Sequence, residues 1–267
     1  MTTVEKIAAW LLAILWLSPL LYAFWAAFHP PEFATTFEPL APLTLANFEK
    51  AWGYAPFPRH FFNTVLLVTM ILAAQLVLCT LAGFAFARFD FAGRDIAFAL
   101  VLLQLMIMPE VLIVENYRTM ARLGLVDTIL GIGLPYMASA FGIFLLRQTF
   151  KTIPRELEEA ARVEGCSWMG VLWRVYVPLA RPTYLAYALV SVSYHWNNFL
   201  WPLTVVYSQD MSTVVLSLNS LRTYTSSIAF TNIVMAGAVI GILPSVILML
   251  WIQKYFIEGI SMTGIKA

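Results

Sequence analysis

The sequence predicts an all-α, polytopic membrane protein with six transmembrane helices and one charged helical loop on the cytoplasmic side. Three observations carry this. Hydrophobic residues make up 61% of the chain and charged residues only 12%, with a mean hydropathy of +0.79, well away from the soluble globular balance. The apolar residues fall in long uncharged runs, and the basic residues between those runs lie unequally on alternate sides.

A helix crossing a hydrocarbon core of about 30 Å needs roughly 20 apolar residues. Ile7–Phe28, Phe61–Ala87, Thr128–Leu146, Pro182–Gln209 and Thr223–Gln253 contain no charge, and Ile96–Val114 contains only Glu110 beside Pro109. These six runs are the expected spans. The last two exceed the bilayer thickness and must include interfacial or loop residues. Continuous rather than alternating apolar runs disfavour a membrane β-barrel.

Six spans put both termini on one side. With the termini cytoplasmic, eleven Lys and Arg lie inside and five outside, as the positive-inside rule requires. Lys6 precedes an apolar run of 22 residues, longer than a signal-peptide core and without an A-x-A site after it, so an uncleaved anchor is expected. His29–His60 holds six prolines and several aromatics, which suits an external loop with extended pieces. The expected division is an anchor and loop over 1–60 and a membrane core over 61–267.

The densest charge lies between Arg147 and Arg181, with six Lys/Arg and four Glu in 35 residues. Pro154 suits a first helical turn, Thr152 is a nearby cap, and Glu156, Glu158 and Glu159 favour the positive end of a helix dipole. Leu157, Ala160 and Ala161 form one small apolar face. Gly165 can close that helix in a left-handed conformation. Ser167 can cap a second helix with Trp168, Val171, Leu172 and Val175 on one face, and Pro178 stops it. Two readings fit this pattern: a helix pair lying on the lipid surface, or one laid into a groove of a partner protein with its apolar anchors buried.

In the fifth run, Tyr187, Ser191, Tyr194, Asn198 and Trp201 follow 4, 3, 4, 3 spacing, with Asn197 adjoining. On a helix they form one stripe. Hydroxyls, amides and aromatic faces suit a polyhydroxylated neutral solute; polar glue between helices fits the same residues. Gln75 and Gln104 read as interhelical glue. No Lys or Arg lies deep in a span, which leans toward a neutral sugar or polyol over a phosphate ester.

The sequence has no G-x-x-x-x-G-K-[ST], no H-E-x-x-H, no metal-ligand spacing and no G-x-S-x-G. No catalytic residue, cofactor or metal site is expected. A net charge of +1 without like-charge blocks gives nucleic acid no footing. Cys79 and Cys166 are expected as free thiols. A secondary carrier would show interrupted repeats and buried coupling carboxylates, which are not evident.

"EAARVEG", nine further residues and then "VYVP" resemble the EAA loop of ABC importer permeases, E-A-A-x-x-x-G-x9-I-x-L-P. Glu159, Ala160, Ala161, Gly165 and Pro178 match it, while Val175 and Val177 replace its Ile and Leu. "FFNTVLLV" at Phe61, "LAGFAFARFDFAGR" at Leu81, "LPYMASAFGIFLLRQTF" at Leu134, "WNNFLWPL" at Trp196 and "QKYFIEGI" at Gln253 are similar to carbohydrate-uptake permeases of the maltose and glycerol-phosphate type. They look most like the smaller, six-span subunit of the pair. The resemblance implies a bacterial inner-membrane permease that imports a sugar, or alternatively a glycerol phosphate, by alternating access. It implies a second permease, two copies of an ATPase that binds ATP and Mg, and an external solute-binding protein. It also implies that the loop is a coupling helix inserted in an ATPase cleft, with Glu159 in polar contact there and Gly165 permitting the turn.

Overall fold

A computed structural model describes residues 3–33, 37, 38, 40–224 and 231–263, the side chains at 223–224, 248–249 and 251–263 excepted. The motif at Gln253–Ile260 therefore lies outside the described side chains. All regular structure among the described residues is helical.

Two long apolar helices answer to the first two runs: α1 (Thr3–Ala27) and α3 (Phe57–Arg88). Each is long and apolar enough to cross a membrane unbroken. The third and fourth runs are bent. The helix α4 (Arg94–Gln104) is followed by a 3-10 turn, Pro109–Leu112, and α5 (Ile113–Arg122), with a 91° change of direction. The short helix α6 (Ile129–Gly133) leads through Leu134–Tyr136 into α7 (Ala140–Thr152), bent by 46°. Pro109 and Pro135 lie at these bends, where a missing amide hydrogen ends regular bonding. Among the described residues, two helices are long and apolar enough to cross a membrane, or up to four if each bent pair counts as one span.

The expected loop before α3 is not wholly extended. It contains α2 (Ala46–Tyr54), a nine-residue helix. The described chain divides into two compact units: residues 1–61 with 213–246, and residues 62–212 with 247–267. The segment 1–60 thus clusters with residues from far along the sequence.

In the first unit, Asn47 Nδ2 donates to the carbonyls of Ala27 (3.0 Å) and His29 (2.7 Å). Asn232, in α14 (Thr231–Thr263), donates to His29 (2.7 Å) and Pro30 (2.8 Å). Two buried amides so satisfy carbonyls that the end of α1 leaves without helical partners. Ala27, Ala51, Ile233, Ala236 and Leu221 of α13 (Val214–Tyr224) form the apolar core here. Upstream of Leu21, α1 is exposed along all its described length, so its apolar surface is left for lipid or a partner.

The second unit has two cores. Leu67 and Ile71 of α3 pack with Met120, Ile132, Trp201, Val205 and Val206. Cys79, Phe84 and Ala87, further along α3, pack with Leu146, Phe150, Ile153, Val171, Leu172 and Tyr176. Gly142 lets α7 sit closely here: a Cβ would fall 2.8 Å from Cys79 Sγ and 2.8 Å from the Tyr187 ring.

Candidate functional site

The charged loop folds as a helical elbow. Its first arm is α8 (Arg155–Val163), and its second begins at α9 (Trp168–Val171). Gly165 joins them at φ +87°, the left-handed conformation expected of it, with nothing within 4 Å of a would-be Cβ. Ser167 caps the second arm, its hydroxyl accepting from Gly170 N at 3.2 Å. Thr152 does not cap the first, because its hydroxyl donates back to Thr149 O at 2.7 Å.

Pro178 does not stop the second arm. A π-helical turn over Leu172–Tyr176 leads into α10 (Val177–Leu179), and the chain breaks only at Ala180 before α11 (Arg181–Trp196). Val177 N bonds Leu172 O, five residues back. The wider turn relaxes the ladder just ahead of the proline that cannot complete it.

The apolar face of the second arm packs on its own chain, with Trp168 still 38% exposed. Trp168 packs on Phe89 (4.8 Å between ring centroids) and on Phe84 (6.4 Å). Leu172 is fully buried, and Tyr176 stacks edge-on against Phe84 and Phe150. Arg162 lies over the Trp168 ring at 4.4 Å, clipping the two arms together. Trp168 and Leu172 are therefore anchors of the elbow. What it presents outward is Glu159, Ala160 and Gly165, with Leu157, Val163, Met169 and Trp173 exposed around them. Ala161 and Pro178 are half-buried.

Sequence reasoning singled out Glu159 and passed over Glu158, which points the other way. Glu158 Oε2 accepts from the Tyr176 hydroxyl at 2.6 Å and lies 3.6 Å from Arg88 Nε. Burial, reinforced by that carboxylate, pushes the Tyr176 phenol well up from its ordinary range and keeps it a donor.

A cavity of about 380 Å³ opens in the second unit, within the roughly 300–1,000 Å³ of small-molecule sites. Tyr187, Ser191 and Tyr194 of α11 line it, together with Gln75, Gln104, Asn116, Tyr136, Ser139 and His195. The remaining described lining is apolar, with no Lys, Arg, Asp or Glu. Ser191 Oγ donates to Gln75 Oε1 at 2.6 Å, and Gln75 Nε2 donates to Tyr136 O at 2.8 Å and faces His195 Nε2 at 3.2 Å.

The other half of the predicted stripe is elsewhere. The helix ends at Trp196, so the 4, 3, 4, 3 spacing no longer describes one face beyond it. Asn197 is the C-terminal cap, its amide donating to Ser193 O at 2.8 Å. Asn198 lies beside Tyr136 without lining the cavity. Trp201, in α12 (Leu200–Val205), is 2% exposed and donates to Ile132 O at 3.1 Å within an apolar core. His195, absent from the sequence prediction, joins the cavity wall at i+4 from Ser191 and i+8 from Tyr187. That spacing was the available signal.

Residues 7–262 match the family described as binding-protein-dependent transport system inner membrane component. The chain is 35% identical over 277 residues to the arabinooligosaccharides transport system permease protein AraQ of Halalkalibacterium halodurans, covering 98% of each. It is 33% identical over 206 residues to the sn-glycerol-3-phosphate transport system permease protein UgpE of Yersinia enterocolitica, covering 77% of this chain and 73% of the relative. A chain of a bacterial ABC transporter involved in import of the acidic polysaccharide alginate shares the fold, with TM-score 0.84, 21% identity and 95% of both chains covered. The elbow's sequence, the helical architecture and these likenesses agree: the chain belongs to the binding-protein-dependent transport system inner membrane component family, as a permease subunit of an ABC importer and not an enzyme.

Proposed function

We propose that this permease carries a neutral sugar or polyol inward by alternating access, paired with a second permease and driven by two copies of a cytoplasmic ABC ATPase that binds ATP and Mg. An external solute-binding protein delivers the solute. Both termini and the elbow face the cytoplasm, as the eleven-to-five distribution of basic residues favours, and six spans traverse the membrane. The observation that carries the reading is the elbow itself. Its inner face is locked on Phe84, Phe89 and Phe150, while Glu159 and Val163 stand exposed on its outer side. A preorganised helical projection docks with little ordering entropy and passes displacement to the helices behind it.

The cavity supports the choice of solute. Amide, hydroxyl and phenol groups can exchange hydrogen bonds with sugar hydroxyls, and aromatic rings can pack on C–H faces. A phosphate ester would ordinarily call for a cation along the path, and none is present in the described lining. Purification of the tagged chain from its native membrane, followed by reconstitution with the cognate solute-binding protein, tests this. Co-elution of a second permease and an ATPase, with ATP-dependent uptake of a neutral carbohydrate, is expected. Uptake by this chain alone without ATP, or a preference for glycerol 3-phosphate, would contradict the driving force or the solute respectively.

A further inference from the structure

Arg88 is the last residue of α3. Its side chain is only 4% exposed, and Nη2 donates to the carbonyls of Phe150 (2.8 Å) and Ile153 at the far end of α7. The guanidinium carbon lies 4.9 Å from the centre of the Tyr176 ring. Nε has no hydrogen-bond partner, and faces Glu158 Oε2 at 3.6 Å. The same carboxylate oxygen receives the Tyr176 hydroxyl. One buried cluster therefore joins the ends of α3 and α7 to both arms of the elbow.

The arrangement divides two adjacent carboxylates. Glu159 is exposed on the outer side of α8, while Glu158, 14% exposed, is turned against the bundle. Removing either partner from a buried pair leaves the other charge without compensation, so the arm and the helix end are held to each other. The separation of Arg88 and Glu158 is that of an ion pair, not of a hydrogen bond. Shortening it by about 0.7 Å would bring it to the usual N–H···O distance, and displacement of α8 toward α3 has that direction.

We infer that Arg88, Glu158 and Tyr176 form the positioning linkage that carries movement of the elbow into α3 and α7, and so sets how much solute moves per ATP hydrolysed. This rests on the proposed docking of the elbow on an ATPase. None of the three need touch that partner. Glu158→Gln keeps an acceptor for Tyr176 but discharges the pair with Arg88, and Tyr176→Phe deletes one hydroxyl from a well-filled core.

The test uses the whole complex in proteoliposomes, with solute uptake and ATP hydrolysis measured on the same vesicles. Both variants should co-purify with the ATPase at the wild-type ratio, yet lose about fivefold or more in solute moved per ATP. Combining them should add little, since one path is already broken. An unchanged ratio in Tyr176→Phe and Glu158→Gln, at normal assembly, overturns the linkage and leaves the docking intact. Reduced assembly with an unchanged ratio in the residual complex assigns the cluster to folding alone and overturns it too. If the wild-type chain itself captures no ATPase, the docking proposal fails first.

Discussion

Ser191 Oγ lies 2.6 Å from Gln75 Oε1 and donates to it, tying the middle of α11 to the middle of α3 beside the cavity. Both side chains are buried. Ser191→Ala would leave the Gln75 carbonyl oxygen without this donor, at a cost of about 1–3 kcal/mol. The expected result is a lower unfolding midpoint in detergent, together with altered solute preference. Thermal unfolding of the purified subunit complex, read beside uptake of a sugar panel, checks both. Stability lost with uptake unaltered would leave the contact as interhelical glue.

Gly142 is a second contact point. A Val there would drive its side chain into Cys79 and Tyr187, each 2.8 Å from the Cβ position. Overpacking of this kind destabilises by about 1–3 kcal/mol. Reduced yield of folded complex is expected for Gly142→Val, with Gly142→Ala milder, measured by size-exclusion recovery.

Gly165 tests backbone conformation alone, because no atom lies within 4 Å of a would-be Cβ at its φ of +87°. Gly165→Val should cost about 1–2 kcal/mol through the left-handed backbone, whereas Asn tolerates that region better. The order of ATPase co-purification is expected to be wild type, then Gly165→Asn, then Gly165→Val. Equal capture by all three would detach the turn from the elbow's role.

Asp127 holds the chain beyond α12. It is left-handed at φ 60°, and its Oδ1 accepts from Tyr207 N, Ser208 N and Ser208 Oγ, each at 3.0 Å. Burial alone would raise its pKa, but these donors outweigh it and hold the carboxyl below its ordinary range. A folded pKa below the unfolded one gives stability that is present above the unfolded value and lost as pH falls through the folded one. Unfolding midpoints should therefore decline on acidification below about pH 4, and less steeply in Asp127→Asn. Parallel declines in both proteins would deny the carboxylate this part.

Much of this was legible from residue order. Gly165 and Ser167 are local devices, set by one φ angle and one hydroxyl, and each is found where its neighbours put it. The stripe on α11 was legible only as far as the helix continues, through Tyr187, Ser191 and Tyr194. Asn197 ends the helix by capping it, so the periodic argument stopped holding one residue before Asn198. The direction of the elbow's apolar face was not legible either. Trp168 and Leu172 fit a partner's groove and the chain's own aromatic cluster equally well by spacing. What decides is the position of Phe84, Phe89 and Phe150, brought in from α3, the residue after it and α7. Glu158 and Glu159 differ by one helical step of about 100°, enough to place one on Tyr176 and the other in the open, yet composition treats them alike.

The most direct measurement addresses the elbow's outer side. Val163 is 89% exposed at the end of α8, so a Val163→Cys variant can carry a photo-cross-linker in the assembled complex. Cross-linking to an ABC ATPase, altered in yield between the nucleotide-free and ATP-bound states, is the predicted result. A probe that labels only lipid in a complex actively transporting solute would contradict the account.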